Sequence, residues 1–308
     1  MELSILIVSY NTCADTLACL KSVYRYPPPC TFEVILLDNA SHDGSAEAVA
    51  EAFPRVRLIA SAENTGFAGG NNIAARQAYG RRLLLLNPDT EVREGSLSAL
   101  WQFAQKNPDR RIWGGRTLFA NGKLNPASCW ARMTVWSQFC LTTGLKMAFP
   151  QSAVFNPEAF GSWQRDTERA VDIVSGCYLL IDHSLWRKLY GFDPQFFMYA
   201  EEADLCLRAA RLGAHPAITP TSTIIHHGGA SEPSQTDKMI RLNRGRVTLM
   251  RKHWRPFSLR AGLALYWLWA WLRLIGSHIT TGPRDIPGQS RGKWRAIWAR
   301  RHEWLAGY

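Results

Sequence analysis

Short apolar segments alternate with helical segments through the first 90 residues, and this alternation constrains the fold more than any other feature. In chain order the segments are predicted strands at 3–9, 33–38, 56–60 and 82–87, with predicted helices at 14–25, 45–53 and 71–80. The strands are continuously apolar, which is typical of parallel strands covered on both faces. The pattern therefore predicts an α/β fold with a mostly parallel sheet flanked by helices.

The positive charge of the chain is concentrated at one end. Of the 36 Lys and Arg, 14 lie from Ile240 onwards, against only two of the 25 Asp and Glu. This split predicts a near-neutral body at 1–237 and a basic, Trp-rich helical extension at 238–308. The longest apolar stretch of the extension, 261–272, is shorter than the roughly 20 residues of a membrane span.

Two interpretations of the extension stay open. Basic residues mixed with tryptophans are typical of a segment that docks on an anionic membrane surface without crossing it. A helix packed on the body, with its basic face solvated, has the same composition. No nucleic-acid-binding module is recognisable, so nucleic acid is not an expected partner.

The cysteines and the start of the chain indicate the cellular compartment. The seven cysteines are odd in number and include no Cys-x-x-Cys pair, so neither a disulfide framework nor a zinc site is predicted. The first residues lack the basic region and cleavage site of a secretory signal. We therefore expect a cytoplasmic protein with reduced cysteines.

Polar residues cluster where the predicted strands end. They are Ser9-Tyr10-Asn11, Asp38, the Gly/Asn-rich segment 64–72 and Asn87-Pro88-Asp89. Because such sheets bind ligands at the carboxyl ends of their strands, these are candidate binding residues. Asp38 and Asp89 are the strongest candidates, since a buried carboxylate needs a partner such as a ligand N–H group or a cation. Asn39 and Asp43 are interpreted as turn formers or helix caps.

Seven motifs occur in an order that matches a known family. They are Ile-Val-Ser-Tyr-Asn (7–11), Leu-Asp-Asn-Ala-Ser-His-Asp-Gly-Ser (37–45), Asn-Thr-Gly-Phe-Ala-Gly-Gly-Asn-Asn (64–72), Leu-Asn-Pro-Asp-Thr (86–90), Ser-Gly-Cys (175–177), Gly-Phe-Asp-Pro-Gln-Phe-Phe-Met-Tyr-Ala-Glu-Glu-Ala-Asp-Leu-Cys-Leu-Arg (191–208) and Ile-His-His-Gly-Gly-Ala-Ser (225–231). Each is modest evidence alone, but seven in order are specific. The chain resembles the inverting glycosyltransferases of family two, and within them the rhamnosyltransferase branch that builds bacterial polysaccharides.

This resemblance implies a GT-A-type fold that binds a nucleotide-sugar donor together with Mg²⁺ or Mn²⁺. By the family's pattern, Tyr10 abuts the pyrimidine and Asp38 accepts a hydrogen bond from the base N3–H. Asp89 stands at the last carboxylate of the family's Asp-x-Asp motif and would hold the cation, whereas Asn87 replaces the first carboxylate. The residues expected at the nucleotide are Ser9, Tyr10, Asn11, Asp38, Asn64, Gly66, Asn71 and Asn87.

Three acids open a predicted helix in the second half of the chain. On residue type alone, Glu201, Glu202 and Asp204 are interpreted as acids that complement a helix dipole. The resemblance instead implies that Glu202 is the general base and that Glu201 orients or binds the acceptor. It also places Gly176 and Asp204 on the acceptor side, although Asp204 can equally be an acid that stabilises the helix.

A histidine pair follows the predicted strand that ends at Ile225. The resemblance implies that His226 assists Asp89 at the cation, with His227 as the alternative. Only one of the two is expected to face the site, because neighbouring strand residues point to opposite faces. Residues 228–231 would then follow the donor phosphates. In this scheme 1–112 bind the nucleotide sugar and 113–237 form the acceptor and catalytic part, where Trp130, Trp136 and Trp163 are interpreted as core residues.

These features together predict a metal-dependent inverting glycosyltransferase of cell-surface polysaccharide synthesis. The expected reaction transfers L-rhamnose from dTDP-L-rhamnose to a lipid-linked or growing glycan, on the inner face of the cytoplasmic membrane. Use of a UDP-linked hexose or galactofuranose stays open as an alternative donor. A non-catalytic nucleotide-sugar-binding or membrane-docking protein is the alternative from a different class.

Overall fold

The computed structural model describes residues 1–228, 234–280 and 290–308, with side chains except at 278–280, 290 and 291. Most of the predicted phosphate-following segment, 229–231, and residues 281–289 of the predicted extension lie outside the described residues. The strands are β1 (Leu3–Ser9), β2 (Phe32–Asp38), β3 (Arg57–Ala60), β4 (Arg82–Leu86), β5 (Thr90–Val92), β6 (Ile112–Leu118), β7 (Cys129–Trp130), β8 (Arg169–Ala170), β9 (Ile173–Val174), β10 (Tyr178–Asp182) and β11 (Ala217–His226).

The helices lie between and after these strands. They are α1 (Cys13–Arg25), α2 (Ser45–Ala52), α3 (Gly66–Arg76), α4 (Ser96–Lys106), α5 (Val135–Thr143), α6 (Leu145–Ala148), α7 (His183–Lys188), α8 (Glu201–Arg211), α9 (Gln235–His253), α10 (Pro256–Thr280), α11 (Ser290–Ala299) and α12 (Arg301–Ala306).

A large mixed sheet organises the first of two compact units, which comprises 1–130, 164–197 and 201–231. Among the described residues its strand order is β3-β2-β1-β4-β10-β6-β11-β5, with β8 beside β11. The first four strands pair in parallel, β10 runs antiparallel between β4 and β6, and β6 pairs with β11 in parallel. The predicted α/β architecture with a mostly parallel sheet is confirmed.

The continuous apolar runs explain why these strands are central. Every residue of β1 and of β4 is buried, because helices cover both faces of the sheet. Cys19, Leu20 and Val23 of α1 pack into the same core as Trp101 of α4. The carboxyl ends of β1, β2 and β4 therefore lie at one edge of the sheet, as predicted from Ser9, Asp38 and Asn87.

The prediction for the segment 64–72 is wrong in its secondary structure. Helix α3 begins at Gly66, not at residue 71, so most of the expected Gly/Asn loop is the first two turns of a helix. Gly66 adopts a positive φ of 72°, which favours glycine. Gly70 allows α3 to pack closely on β1, since a Cβ at this position would lie 2.7 Å from the Val8 side chain. Hydrophobic periodicity did not reveal the start of α3, because glycines that let a helix approach a strand closely are also typical of loops.

The second compact unit is helical and comprises 131–163, 198–200 and 232–308. It differs from the predicted extension at 238–308 because it also takes in α5, α6 and the three residues before Glu201. Tyr266 stacks on Trp269 at 5.1 Å between ring centroids, and the buried Trp304 packs edge-on against Tyr266. The Arg246 guanidinium bonds both carboxylate oxygens of Glu158 at 3.2 Å.

Candidate active site

Asp38 ends β2 with a carboxylate that lacks a full set of partners. The side chain is buried, and its Oδ2 accepts a hydrogen bond from the Ser41 backbone N–H at 3.0 Å. Its Oδ1 is buried and has no hydrogen-bond partner within the ranges that the structure describes. A buried acceptor without a partner is unfavourable, so this oxygen is suited to a ligand N–H group.

Asn39, which the sequence suggested was an ordinary turn former, organises the loops beside Asp38. Its Oδ1 accepts from the backbone N–H of Thr65 at 2.9 Å, and its Nδ2 donates to Oδ1 of Asn64 at 3.0 Å. Asn64 in turn accepts from the N–H of Gly66, the first residue of α3. The predicted residues Asn64 and Gly66 are therefore held at the end of β2 by Asn39. The sequence indicated a turn at Asn39 but not this bridging role.

The end of β1 is tied to the same loops. Asn11 adopts a left-handed φ of 51°, its Oδ1 accepts from the His42 N–H, and its own N–H donates to the Ser41 hydroxyl. Tyr10 precedes it and is half-buried. The structure thus brings Tyr10, Asn11 and Asp38 together at one edge of the sheet.

Two other predicted nucleotide residues face the interior. The Ser9 hydroxyl is buried and bonds the hydroxyls of Thr12 and Thr16. The Asn71 side chain is also buried and donates to the Phe67 carbonyl one turn earlier in α3. These contacts give Ser9 and Asn71 a supporting role in the fold, without an atom directed to solvent.

Asp89, which follows β4, and His226, the last residue of β11, form a largely buried ion pair. His226 Nε2 lies 3.2 Å from Asp89 Oδ1, and Asn87 Nδ2 lies 3.5 Å from the same histidine nitrogen. Burial lowers the pKa of His226, but the Cys177 thiol and Asp89 outweigh burial and raise it to about 11. Burial raises the pKa of Asp89, yet His226 and the Gly228 backbone outweigh it and lower that pKa.

The two neighbouring histidines are clearly distinguished by their contacts. His227 is more exposed than His226, and its Nε2 bonds the Glu91 carboxylate at 2.8 Å. Because β11 pairs with β5 at His226 opposite Thr90, its alternating side chains direct only His226 towards Asp89. Cys177 beside His226 was missed as a site residue, although it belongs to the quoted Ser-Gly-Cys motif.

The donor set suits a hard cation that is shared with a diphosphate. Within the described ranges no group of three or more His, Cys, Asp and Glu side chains forms a complete metal cage. Mg²⁺ is commonly held by one or two protein carboxylates, with substrate phosphates supplying further oxygens. Asp89 and the buried Oδ1 of Asn87 that lacks a partner fit that mode of binding, and His226 would join them on giving up the proton that it shares with Asp89.

Glu201 and Glu202 form a buried carboxyl pair at the start of α8. Burial raises the pKa of both groups, and the neighbouring Glu202 charge raises that of Glu201 well above its usual range. The hydrogen bond between them favours the proton on Glu201 and the charge on Glu202. Each has an Oε2 that is buried without a hydrogen-bond partner among the described residues. The arrangement provides a carboxylate with the raised pKa that a general base requires.

Asp204 has a different environment from its two neighbours. It is fully buried, and its Oδ2 accepts from Arg208 Nε at 2.7 Å. The same guanidinium donates to the carbonyls of Leu189 and Gly191, which precede the segment that leads into α8. These bonds favour the helix-stabilising interpretation of Asp204 over contact with an acceptor.

The dipeptide Gly176-Cys177 lies between the two acidic clusters. A Cβ added to Gly176 would lie 3.6 Å from the Glu202 Cβ and 3.1 Å from the Phe67 ring. Cys177, the next residue, contacts His226. The carboxyl pair and the Asp89–His226 pair are therefore neighbours within the α/β unit, although 113 residues separate Asp89 from Glu202.

Known proteins resemble this chain in both sequence and structure. It is 26% identical over 206 residues to an N-acetylglucosaminyl-diphospho-decaprenol L-rhamnosyltransferase of Mycobacterium tuberculosis, covering 63% of this chain and 66% of that one. It is also 26% identical over 188 residues to the rhamnosyltransferase WbbL of Escherichia coli K12, covering 57% and 66%. The chain thus spans just under two thirds of the length of these curated relatives.

A solved structure shares the fold at low sequence identity. A mannosyltransferase from Pyrobaculum calidifontis, in complex with GDP-mannose and Mn²⁺, superposes with a TM-score of 0.59 at 17% identity, over 99% of this chain and 85% of that one. This likeness confirms the GT-A-type fold that the motifs predicted. The model of glycosyl transferase family 2 matches residues 4–166, more than half of the chain. The chain belongs to glycosyl transferase family 2.

Proposed function

We propose that this protein is an inverting glycosyltransferase that transfers L-rhamnose from dTDP-L-rhamnose to a lipid-linked glycan in cell-surface polysaccharide synthesis. One observation carries the proposal: Gly176 lies beside Glu202, and the next residue, Cys177, contacts His226 of the Asp89–His226 pair. A proton acceptor beside an anchor for a diphosphate is the arrangement that a single displacement at a sugar carbon needs. The rhamnosyltransferases among the relatives favour the sugar.

In this reaction Glu202 removes the proton of an acceptor hydroxyl while that oxygen attacks the anomeric carbon. The new carbon–oxygen bond forms as the bond to the diphosphate breaks, so the configuration at that carbon inverts and the nucleoside diphosphate leaves. Glu201 holds its own proton and hydrogen-bonds Glu202, which orients the base. Asp89, together with His226 in its neutral form, would hold a bound Mg²⁺ or Mn²⁺, which would neutralise charge on the leaving group.

Asp38 is proposed to select the base of the donor. Its buried Oδ1 would accept the N3–H group of thymine or uracil, a donor that cytosine lacks. We expect Asp38→Ala to weaken dTDP and UDP binding by about tenfold to a hundredfold, the usual effect of losing a buried hydrogen bond. Competition by inorganic diphosphate should stay unchanged. Titration calorimetry would contradict this role if the wild-type protein bound CDP as tightly as dTDP.

A second donor class is consistent with the same contact. An N3–H group is common to thymine and uracil, so Asp38 does not separate dTDP-L-rhamnose from a UDP-linked hexose or galactofuranose. Nucleotide release measured against a panel of dTDP-, UDP- and GDP-sugars distinguishes the donors. Release from dTDP-L-rhamnose at least tenfold above the others supports the proposal, and preferential release from a UDP-sugar replaces the donor.

The helical unit is proposed to dock on an anionic membrane, on the cytoplasmic face. Helix α10 is apolar on its exposed side as well as its buried one: Trp269 and Tyr266 are buried, whereas Trp267 and Trp271 are 40% and 38% exposed. These two rings stack at 6.3 Å, one turn apart. Phe257 and Ile275 continue the same exposed stripe at helical spacing. An apolar, Trp-bearing stripe among basic residues suits the headgroup boundary of a bilayer.

A second exposed aromatic surface lies on α5 and α6 of the same unit. The expectation that Trp136 is a core residue is wrong, because its side chain is 45% exposed and stacks on the exposed Phe139. Helix α5 packs along α10, where the Thr142 hydroxyl donates to the Leu265 carbonyl. Sequence periodicity missed this surface because α5 is short and apolar overall.

No helix in the described ranges is both long and apolar enough to cross a membrane.

Vesicle binding should depend on the stripe. We expect Trp267→Ala with Trp271→Ala to reduce co-sedimentation with vesicles containing anionic lipid at least tenfold, because both rings leave the interface. Wild-type binding should fall at high salt, since each base near anionic lipid contributes about 1 kcal/mol. Tyr79→Ala, which removes an exposed ring from the α/β unit, is the matched control and should bind normally. Equal binding of the double variant would remove the membrane from the proposal.

A further inference from the structure

The three residues before the carboxyl pair belong to the helical unit, although Glu201 and Glu202 belong to the α/β unit. Within this segment, Met198–Ala200, Tyr199 and Ala200 have φ values of 72° and 73°. This left-handed region is disfavoured for residues with side chains. Two consecutive residues in it persist only where the surrounding structure fixes them, and such strain is concentrated at functional sites.

Contacts inside the helical unit fix the segment. The Tyr308 hydroxyl donates to the Met198 carbonyl at 2.8 Å. Gly245 of α9 lies so close to Tyr199 that a Cβ at this position would overlap the Tyr199 carbonyl oxygen. Only a glycine at this turn of α9 permits the observed path of the segment.

Tyr308 is itself held in place by two neighbours on α9. Its backbone N–H donates to the Thr248 hydroxyl at 2.7 Å, and the Arg244 guanidinium lies 4.6 Å from its ring centroid. On the other side of the segment, the Phe197 carbonyl accepts from the Phe67 backbone N–H at 3.0 Å within the α/β unit. The carbonyls of Phe197 and Met198 are thus each held by a hydrogen bond, and only Tyr199 and Ala200 separate Met198 from the start of α8.

We propose that Gly245 and Tyr308 are positioning residues for the general base. They hold 198–200 in the left-handed conformation from which α8 starts, and the backbone carries that geometry directly to Glu202. The proposal rests on the proposed role of Glu202. It concerns only the backbone conformation of 198–200, which continues directly into α8, and is separate from membrane docking.

The expected effects fall on turnover, not on donor binding. A displacement of about 1 Å at a reacting group can lower the rate on the order of a hundredfold. We expect Gly245→Ala to reduce kcat by about that factor, because the new methyl group must displace the Tyr199 carbonyl. Tyr308→Phe removes one hydrogen bond and should reduce kcat by about threefold to tenfold. For both variants KM and the calorimetric Kd for dTDP-L-rhamnose should stay within about twofold of wild type.

Matched controls in the same unit separate positioning from lost stability. Gly262→Ala on α10 introduces a methyl group that overlaps the Trp254 ring at the end of α9, and Tyr266→Phe removes a buried hydroxyl that bonds Asn243 at 2.7 Å. Both should lower the melting temperature and leave kcat near wild type at 20 °C. The assay uses the 308-residue chain with dTDP-L-rhamnose and, as acceptor probe, an N-acetylglucosaminyl-diphospho-polyprenol, the acceptor class in the name of the Mycobacterium tuberculosis relative.

Glu202→Gln, measured in parallel, distinguishes the two ways in which this account could fail. If Glu202→Gln is inactive while Gly245→Ala and Tyr308→Phe keep kcat within twofold of wild type, the positioning role is wrong and the base assignment stands. A loss of kcat in Gly262→Ala equal to that in Gly245→Ala also overturns positioning, since instability would then explain both. If Glu202→Gln turns over normally, the base assignment itself is wrong.

Discussion

Glu202→Gln is expected to lower kcat by 10²- to 10⁴-fold, the usual contribution of a positioned general base. The amide keeps the size of the side chain but does not take a proton from the acceptor hydroxyl. The affinity for dTDP-L-rhamnose should change little, because Glu202 lies with Gly176 on the proposed acceptor side. Steady-state kinetics with calorimetry of donor binding measures both quantities.

The pH dependence of turnover provides the control for this prediction. Since burial raises the pKa of Glu202, the base becomes protonated, and wild-type kcat should fall, at a higher pH than for an ordinary glutamate. The Gln variant should lose this acidic limb of the profile. Glu201→Gln should keep part of the activity, because it preserves a hydrogen-bond donor next to Glu202. Near-normal turnover in Glu202→Gln with loss in Glu201→Gln would transfer the role to Glu201.

Asp89→Ala is expected to abolish metal-dependent donor binding and to lower kcat/KM at least a hundredfold. The substitution removes the buried carboxylate proposed to hold the cation, and it leaves His226 without its ion-pair partner. Calorimetric titration of dTDP-L-rhamnose with Mg²⁺ and with EDTA measures the effect directly. His226→Ala should lose most of the same metal dependence.

His227→Ala is the matched control for the metal site. This neighbouring histidine is paired with the partly exposed Glu91, so its removal should leave metal-dependent binding unchanged. Equal donor affinity with and without EDTA in the wild-type protein would contradict the metal role. Backbone and basic groups would then have to stabilise the diphosphate.

Much of the α/β unit was predictable from sequence because its strands are buried on both faces. The bounds of β1 match the predicted strand, and the apolar runs before Asp38 and Asp89 are buried strands, as predicted. The start of α3 was not predictable, because Gly66 and Gly70 read as a loop although they allow close packing. The local pattern of 64–72 carries no signal of the contact between Gly70 and Val8 on β1, which explains the glycine within the helix.

The contacts that the site residues make could be identified only from the structure. Sequence spacing left His226 and His227 open, and the pairing of β11 with β5 distinguishes their directions. The helical unit also unites distant parts of the chain: residues 131–163 join α9 and α10 through long-range contacts such as Glu158 with Arg246. The tie between Tyr308 and Met198 spans 110 residues and carries no local sequence signal.

Product analysis tests the central claim, inverting rhamnosyl transfer, most directly. The wild-type protein is incubated with Mg²⁺, dTDP-L-rhamnose and an N-acetylglucosaminyl-diphospho-polyprenol, and the glycan product is examined by NMR for its anomeric configuration. The account predicts acceptor-dependent release of dTDP and a single rhamnosylated product whose anomeric configuration is opposite to that of the donor. A product that retains the donor's configuration, or release of dTDP without any glycan product, would contradict it.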